Sequence, residues 1–250
     1  MRNFFLILNC LFLISASFIS CHTSYQTSTL HYKDYQINEK QPLNKNLENL
    51  LQPYSDSVNR SMDVMVGKVP VTLNKKAPES TLGNFMADAF FIMAKEKYNT
   101  HIDAAFMNFG GIRLTQLPSG TVTRSKIFEL MPFDNLLVLQ KLKGSVLQQF
   151  LDLTASRGGW PVSGISMHIR DNKAVNVFVD GKPLDPNATY TTANSDFIAN
   201  GGDNADMLRQ VPQITNGYLM RDALFDYIKK LKSEGKDISA TIENRVVNDK

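Results

Sequence analysis

One run of six residues, Asn108-Phe109-Gly110-Gly111-Ile112-Arg113, carries clear chemical potential. Its two glycines permit close backbone approach or positive φ, and Arg113 closes it with a forked cation suited to phosphate or hydroxyl oxygens. By itself the run also fits a glycine turn followed by a surface arginine. Two phenylalanines stand in loop-like settings: Phe133 in Met131-Pro132-Phe133-Asp134-Asn135, and Phe197 in the glycine-rich stretch Asn194 to Asp203. A pair of such rings can stack on the faces of a planar base, a contact of about 1–3 kcal/mol per base; the plain alternative is that each ring plugs its loop onto the core. Asp203, after two glycines, offers an ionised carboxylate that can accept from vicinal ribose hydroxyls, or it simply forms a turn.

Other chemistries lack their residues. A two-metal hydrolytic centre needs several His, Asp and Asn ligands holding its ions about 3.5–4 Å apart. The four histidines are His22, His31, His101 and His168, with no Asp-x-His, Gly-Asn-His or His-x-His arrangement. Gly83-Asn84 is followed by Phe85. His101 reads as a surface residue and His168 as a strand residue. No Gly-x-Ser-x-Gly elbow or phosphate-binding P-loop supplies another reaction, so no catalytic residue and no metal ligand is expected in this sequence. Net charge is only +3, with basic and acidic residues interspersed, which gives no basic stripe for a nucleic-acid backbone.

The elements that must position these residues follow from periodicity. Leu43, Leu47, Leu50, Leu51, Tyr54, Val58 and Met62 recur at spacings of three and four, the pattern of an amphipathic helix, with Pro53 as a kink point. Asp63 to Leu73 reads as one extended strand with a bend at Gly67 or Pro70. A second helix places Leu82, Phe85, Met86, Ala89, Phe90 and Met93 on one face, with Ser80 or Thr81 to cap it. Ala104 to Met107 is a short buried strand leading into the glycine run. Ser125 to Leu130 forms one short helix, Leu136 to Leu142 a strand, and Gly144 to Ala155 a helix. Strands follow near Gly164 to Ile169, Ala174 to Val179 and Tyr190 to Ala193, then a last amphipathic helix, Tyr218 to Leu231. Helices mixed with hairpin-like strands, without regular βαβ alternation, indicate an α+β fold with a mixed sheet packed with helices.

The N-terminus is of another kind. Arg2 precedes an apolar stretch from Phe4 to Ile19 that ends in Phe18-Ile19-Ser20-Cys21, a signal peptide with a lipobox-like junction at Cys21. Residues 1–20 are thus expected to be removed, Cys21 lipidated, and residues 21–43, rich in polar residues with a short strand near Tyr35 to Ile37, to act as a tether. The folded domain is expected over 44–250. Of the two cysteines, Cys10 lies in the signal, so the mature protein has no internal disulfide.

Leu82-Gly83-Asn84-Phe85-Met86-Ala87-Asp88-Ala89, the run 108–113, the block 131–135 and Asp196-Phe197-Ile198-Ala199-Asn200-Gly201-Gly202-Asp203 together resemble, in order, the signature blocks of the 5′-nucleotidase C-terminal domain. Leu142-Lys143-Gly144 matches that family's strand-to-helix junction, and the resemblance extends from about Val64 to Leu231. It implies a base sandwiched by Phe133 and Phe197, Asp203 on ribose hydroxyls, Arg113 near ribose or phosphate, and Asn108 nearby. The family often has a further arginine before the Leu-Gly-Asn block; here Lys75-Lys76 stands there, and Phe109 replaces a usual glycine. The family's metal-binding catalytic domain is N-terminal to this one. The resemblance therefore implies a nucleoside- or nucleotide-binding chain without its own cofactor, divalent metals being expected only in a separate metallophosphoesterase polypeptide of a split 5′-nucleotidase. A stand-alone envelope nucleoside-binding lipoprotein and a ligand-free scaffold remain open alternatives. The expected location is the periplasmic face of a membrane, held by the lipid anchor.

Overall fold

The computed structural model describes residues 29, 31–35 and 43–249. The expected signal peptide, Cys21, and Gln36 and Ile37 of the short strand expected in the tether lie outside the described residues. By internal contacts the chain divides into a unit ending at Asn49 and a unit from Leu50 to Lys250. In the first unit, residues 31–35 have no regular structure, and helix α1 (Lys45–Met62) begins there and continues into the second. None of α1's residues is buried, and Pro53 is accommodated within it.

The second unit carries the core. Its extended start differs from expectation: the single strand read over 63–73 is two, β1 (Met65–Val69) and β2 (Leu73–Asn74), because Pro70, which has no N–H to donate, breaks the ladder between them. Helix α2 (Thr81–Tyr98) begins where the Ser80 hydroxyl accepts from the Gly83 amide at 3.1 Å and ends at Asn99 in the left-handed region. It is buried over more than the single face expected, Gly83, Asn84 and Ala87 included. Strand β3 (Ala104–Phe106), β4 (Gln116–Leu117), β5 (Gly120–Thr123), α3 (Arg124–Leu130), β6 (Leu137–Lys143) and α4 (Gly144–Ser156) follow. The remainder comprises β7 (Val162–Ser163), β8 (Ile165–Arg170), β9 (Lys173–Val179), β10 (Lys182–Pro183), β11 (Thr189–Ser195), α5 (Asp196–Ala199), β12 (Gln213–Ile214), α6 (Met220–Ser233) and β13 (Val246–Asn248).

A five-stranded mixed sheet of order β12-β6-β11-β3-β7 forms the centre, and a four-stranded sheet of order β10-β9-β8-β13 lies beside it, with ribbons β1-β5 and β2-β4. Alternation along β3 sends Ala105 into one core and Ala104 and Phe106 into the other. The first core is filled by α2 and α6 through Phe85, Phe90, Leu224 and Ile228. The second holds α4 and the β8-β9 hairpin, with Phe150 packed edge-on against both Phe106 and Trp160. The central sheet is therefore covered on both faces, within a mixed arrangement of helices and sheets that matches the expected α+β class.

Strand direction positions the site. β11 runs parallel to β3 and antiparallel to β6. The C-terminal ends of β3 and β11 and the N-terminal end of β6 consequently share one edge of the sheet. The loops bearing Asn108, Phe197 and Phe133 leave from that edge.

Candidate functional site

At this edge lies a cavity of about 380 Å³ whose walls include Asn108, Arg113, Phe133, Phe197 and Asp203. The five residues singled out in the sequence, spread over 96 positions of chain (108 to 203), are brought together there. Gly110, Gly111 and Asn135 complete the lining. Asn135 was legible only as part of its block; no local feature distinguishes it from an ordinary turn asparagine.

Asn108 is 6% exposed and starts a tight turn, Phe109–Gly111. A Cβ on Gly111 would stand 2.3 Å from the Met107 methyl and 2.6 Å from Asn108 Oδ1, so glycine is what allows the Asn108 amide to fold across the turn. That amide donates from Nδ2 to Asp203 Oδ2 at 2.8 Å. Asp203 has φ 52, the left-handed region, in a turn opened by Gly201 and Gly202, a conformation that Asp tolerates better than most residues. Its other oxygen lies 4.0 Å from Arg157 Nη1. Arg157 sits just beyond α4, and no motif marked it as part of the site.

The two phenylalanines are 37% and 46% exposed, which separates them from the fully buried rings of the core and leaves part of each ring open to solvent. Phe197 is the second residue of α5, where the Ser195 hydroxyl caps by accepting from the Ile198 amide. One side of its ring rests on Gly202: a Cβ there would come within 2.6 Å of the ring. Phe133 belongs to the loop between α3 and β6. The Arg113 guanidinium lies 5.7 Å from the Phe133 ring centre and donates to Gly110 O at 3.4 Å.

Phe109, where a glycine is usual in the resembling family, packs against the second core and lies outside the cavity lining. Lys75 lies over it, 4.1 Å from the ring centre, and donates to Ile112 O at 2.7 Å. Burial, with the nearby Arg113 charge adding to it, holds the Lys75 ammonium below the ordinary lysine range. Lys76 is exposed. Among the described residues, no group of three or more His, Cys, Asp or Glu side chains is placed to hold a metal ion. His168 instead bonds Asp249 at 2.7 Å, and His101 bonds Asp103 at 3.1 Å. The described residues therefore do not fit a dinuclear metal centre. What the cavity offers is two part-exposed aromatic rings, one cation and one carboxylate, a set suited to binding a planar, hydroxylated, anionic ligand.

Comparison with known proteins establishes the family of the chain. The model of the 5′-nucleotidase C-terminal domain matches residues 60–210. Protein UshA of Yersinia enterocolitica is 30% identical over 187 residues, 72% of this chain and 34% of the relative. A 5′-nucleotidase of Vibrio cholerae is 28% identical over 190 residues, covering 72% of this chain and 33% of that protein. The crystal structure of a 5′-nucleotidase precursor from Thermus thermophilus superposes with a TM-score of 0.71 at 29% identity, over 82% of this chain and 43% of that one. The chain belongs to the 5′-nucleotidase family through this C-terminal domain. It spans about a third of the length of the curated relatives it matches.

Proposed function

We propose that this chain is the nucleotide-binding part of a split 5′-nucleotidase. It holds the nucleoside moiety while a separate metallophosphoesterase polypeptide hydrolyses the phosphomonoester. The base lies between Phe133 and Phe197, the ribose hydroxyls donate to Asp203, Asn108 steadies that carboxylate, and Arg113 reaches the ribose or phosphate. The observation that carries this reading is the pairing of two part-exposed phenylalanines with a carboxylate and a guanidinium around one cavity. Stacking and ribose bonds orient the ligand, and holding the reacting phosphate in place is itself a large part of catalysis. Assignment of hydrolysis to another polypeptide is supported by the lack of a ligand set among the described residues. The chain's own residues bind and orient; the divalent ions of the partner would supply the activated water.

The same reading places the protein on the periplasmic face of a membrane through a lipid on Cys21, which the Phe18-Ile19-Ser20-Cys21 junction supports. Among the described residues no helix is long and apolar enough to cross a membrane.

Calorimetric titration with adenosine and AMP, with phosphate release followed in parallel, tests the function. Nucleoside binding that is lost in Phe197→Ala, without phosphate release by the pure chain, is the expected result. Metal-dependent hydrolysis by the pure chain would overturn the division of labour, and failure of both ligands to bind would remove the nucleoside reading.

A further inference from the structure

Arg221 lies in the first turn of α6, on a helix whose other buried residues, Met220, Ala223, Leu224 and Ile228, are all apolar. It is 9% exposed, rare for arginine unless its charge is matched. Its donors are directed at a single loop: Nη1 to Phe133 O at 3.1 Å and Met131 O at 3.5 Å, and Nη2 to the Asp134 carboxylate. Its guanidinium also lies 4.3 Å from the Phe128 ring centre. The loop 131–135 has no helix or strand of its own. Backbone bonds hold its two ends, from Met131 N to Ile127 O and from Met220 N to Asn135 O. Between those ends, Arg221 supplies the side-chain anchor, and a planar fork can satisfy several acceptors at once where a lysine cannot.

We propose that Arg221 is a positioning residue for base recognition, fixing the backbone of Phe133 so that its ring stays at the cavity wall. This rests on the nucleoside-binding reading above. Arg221 does not line the cavity, so it acts through Phe133 and touches no ligand. Its charge is matched by Asp134, whose side chain is 79% exposed, while its own side chain is 10% exposed. The fixed member of the pair is thus the arginine, and the loop is what it holds.

The test is a double-mutant cycle on the full-length protein, read by adenosine titration and by hydrogen exchange of the ligand-free chain. Arg221→Ala is expected to weaken adenosine binding about tenfold, and Arg221→Lys to recover part of that loss. In a Phe133→Ala background the same Arg221→Ala change should cost less than about twofold, because the ring it positions is gone. The amides of Met131, Phe133, Asp134 and Asn135 should exchange faster in Arg221→Ala while those of β6 and β11 do not. Equal losses in both backgrounds, or a folded Arg221→Ala with unchanged loop exchange, would overturn the proposal. If Arg221→Ala does not fold, Asp134→Asn serves instead, with faster loop exchange and a loss of about two- to threefold expected from the weaker hydrogen bond; unchanged exchange in that variant also overturns it. Absence of adenosine binding by the unmodified protein would remove the nucleoside reading, and the exchange data would still decide whether Arg221 holds the loop.

Discussion

Asp196 and Leu136 are bonded to each other in both directions: the Asp196 amide donates to Leu136 O at 2.9 Å, and the Leu136 amide donates to Asp196 Oδ1 at 3.0 Å. The same carboxylate oxygen accepts from the Phe197 amide at 2.8 Å. The pair continues the β6-β11 ladder one step beyond Ser195↔Leu137, so the loops carrying the two accessible phenylalanines are tied together where they leave the sheet. Asp196→Ala should therefore lower stability by about 1–3 kcal/mol, the cost of stranding a part-buried donor, and weaken adenosine binding as well. Asp196→Asn keeps an acceptor oxygen in place and should lose much less. Urea unfolding together with adenosine titration of both variants checks this, and equal behaviour of the two would show that the carboxylate oxygen is not the tie.

Gly202 supports Phe197 by having no side chain. A methyl there would meet the ring at 2.6 Å and the Phe197 carbonyl at 2.5 Å, closer than any ordinary contact, so the ring or the turn must move. Gly202→Ala is expected to destabilise by about 1–3 kcal/mol, as overpacking does, and to weaken adenosine binding by at least as much as Phe197→Ala. Adenosine affinity unchanged in the folded variant would show that the ring's present seat is not the binding position.

The Asn108–Asp203 bond predicts a ligand-selective effect. If Asp203 accepts from the ribose hydroxyls, Asp203→Ala should reduce adenosine affinity about tenfold or more, the scale of a hydrogen bond to a charged group, and leave 2′,3′-dideoxyadenosine almost unaffected. Asn108→Ala should produce a smaller loss with the same selectivity, because it frees the carboxylate without removing it. Equal losses for the two nucleosides would assign Asp203 to the turn alone.

A pH dependence resides at the C-terminal strand. Hydrogen bonds from His168 first and Arg170 second hold the Asp249 carboxyl below its ordinary value of 3.8. A carboxyl whose folded value lies below its unfolded one adds stability above the unfolded value and loses it as pH falls through the folded value. Parallel pairing of β13 with β8 should thus be supported by Asp249 at neutral pH. The stability difference between the natural chain and Asp249→Asn should shrink towards zero as pH falls below the ordinary carboxyl range. Urea titrations at stepped pH measure that difference, and a gap that instead widened at low pH would refute the linkage.

Much of this protein was determined by local sequence. Periodic apolar residues marked α1, α2 and α6, although α1 buries none of its residues, and short apolar runs between turn residues marked β6, β8, β9 and β11. The Ser80 cap and the glycines of 110–111 and 201–202 act within a few residues, so they too were legible. Phe133, Phe197 and Asp203 stood out as side chains that periodic burial did not explain. Local pattern gave less at the short strands β7, β12 and β13, which have only two or three residues each and cannot display a period. It misread β1 and β2 as one strand, since the effect of Pro70 depends on where each piece finds a partner.

Tertiary structure alone decided what these residues meet. Asn108 and Asp203 are 95 positions apart, and their bond exists because β3 and β11 run parallel and end at one edge. The burial of Arg221, the place of Asn135 in the cavity wall and the approach of Arg157 to Asp203 likewise depend on pairings between distant elements. A sequence specifies which side chains are available and which local shapes they favour; the distances between side chains far apart along the chain are fixed only when the sheet closes and its order brings particular loops together.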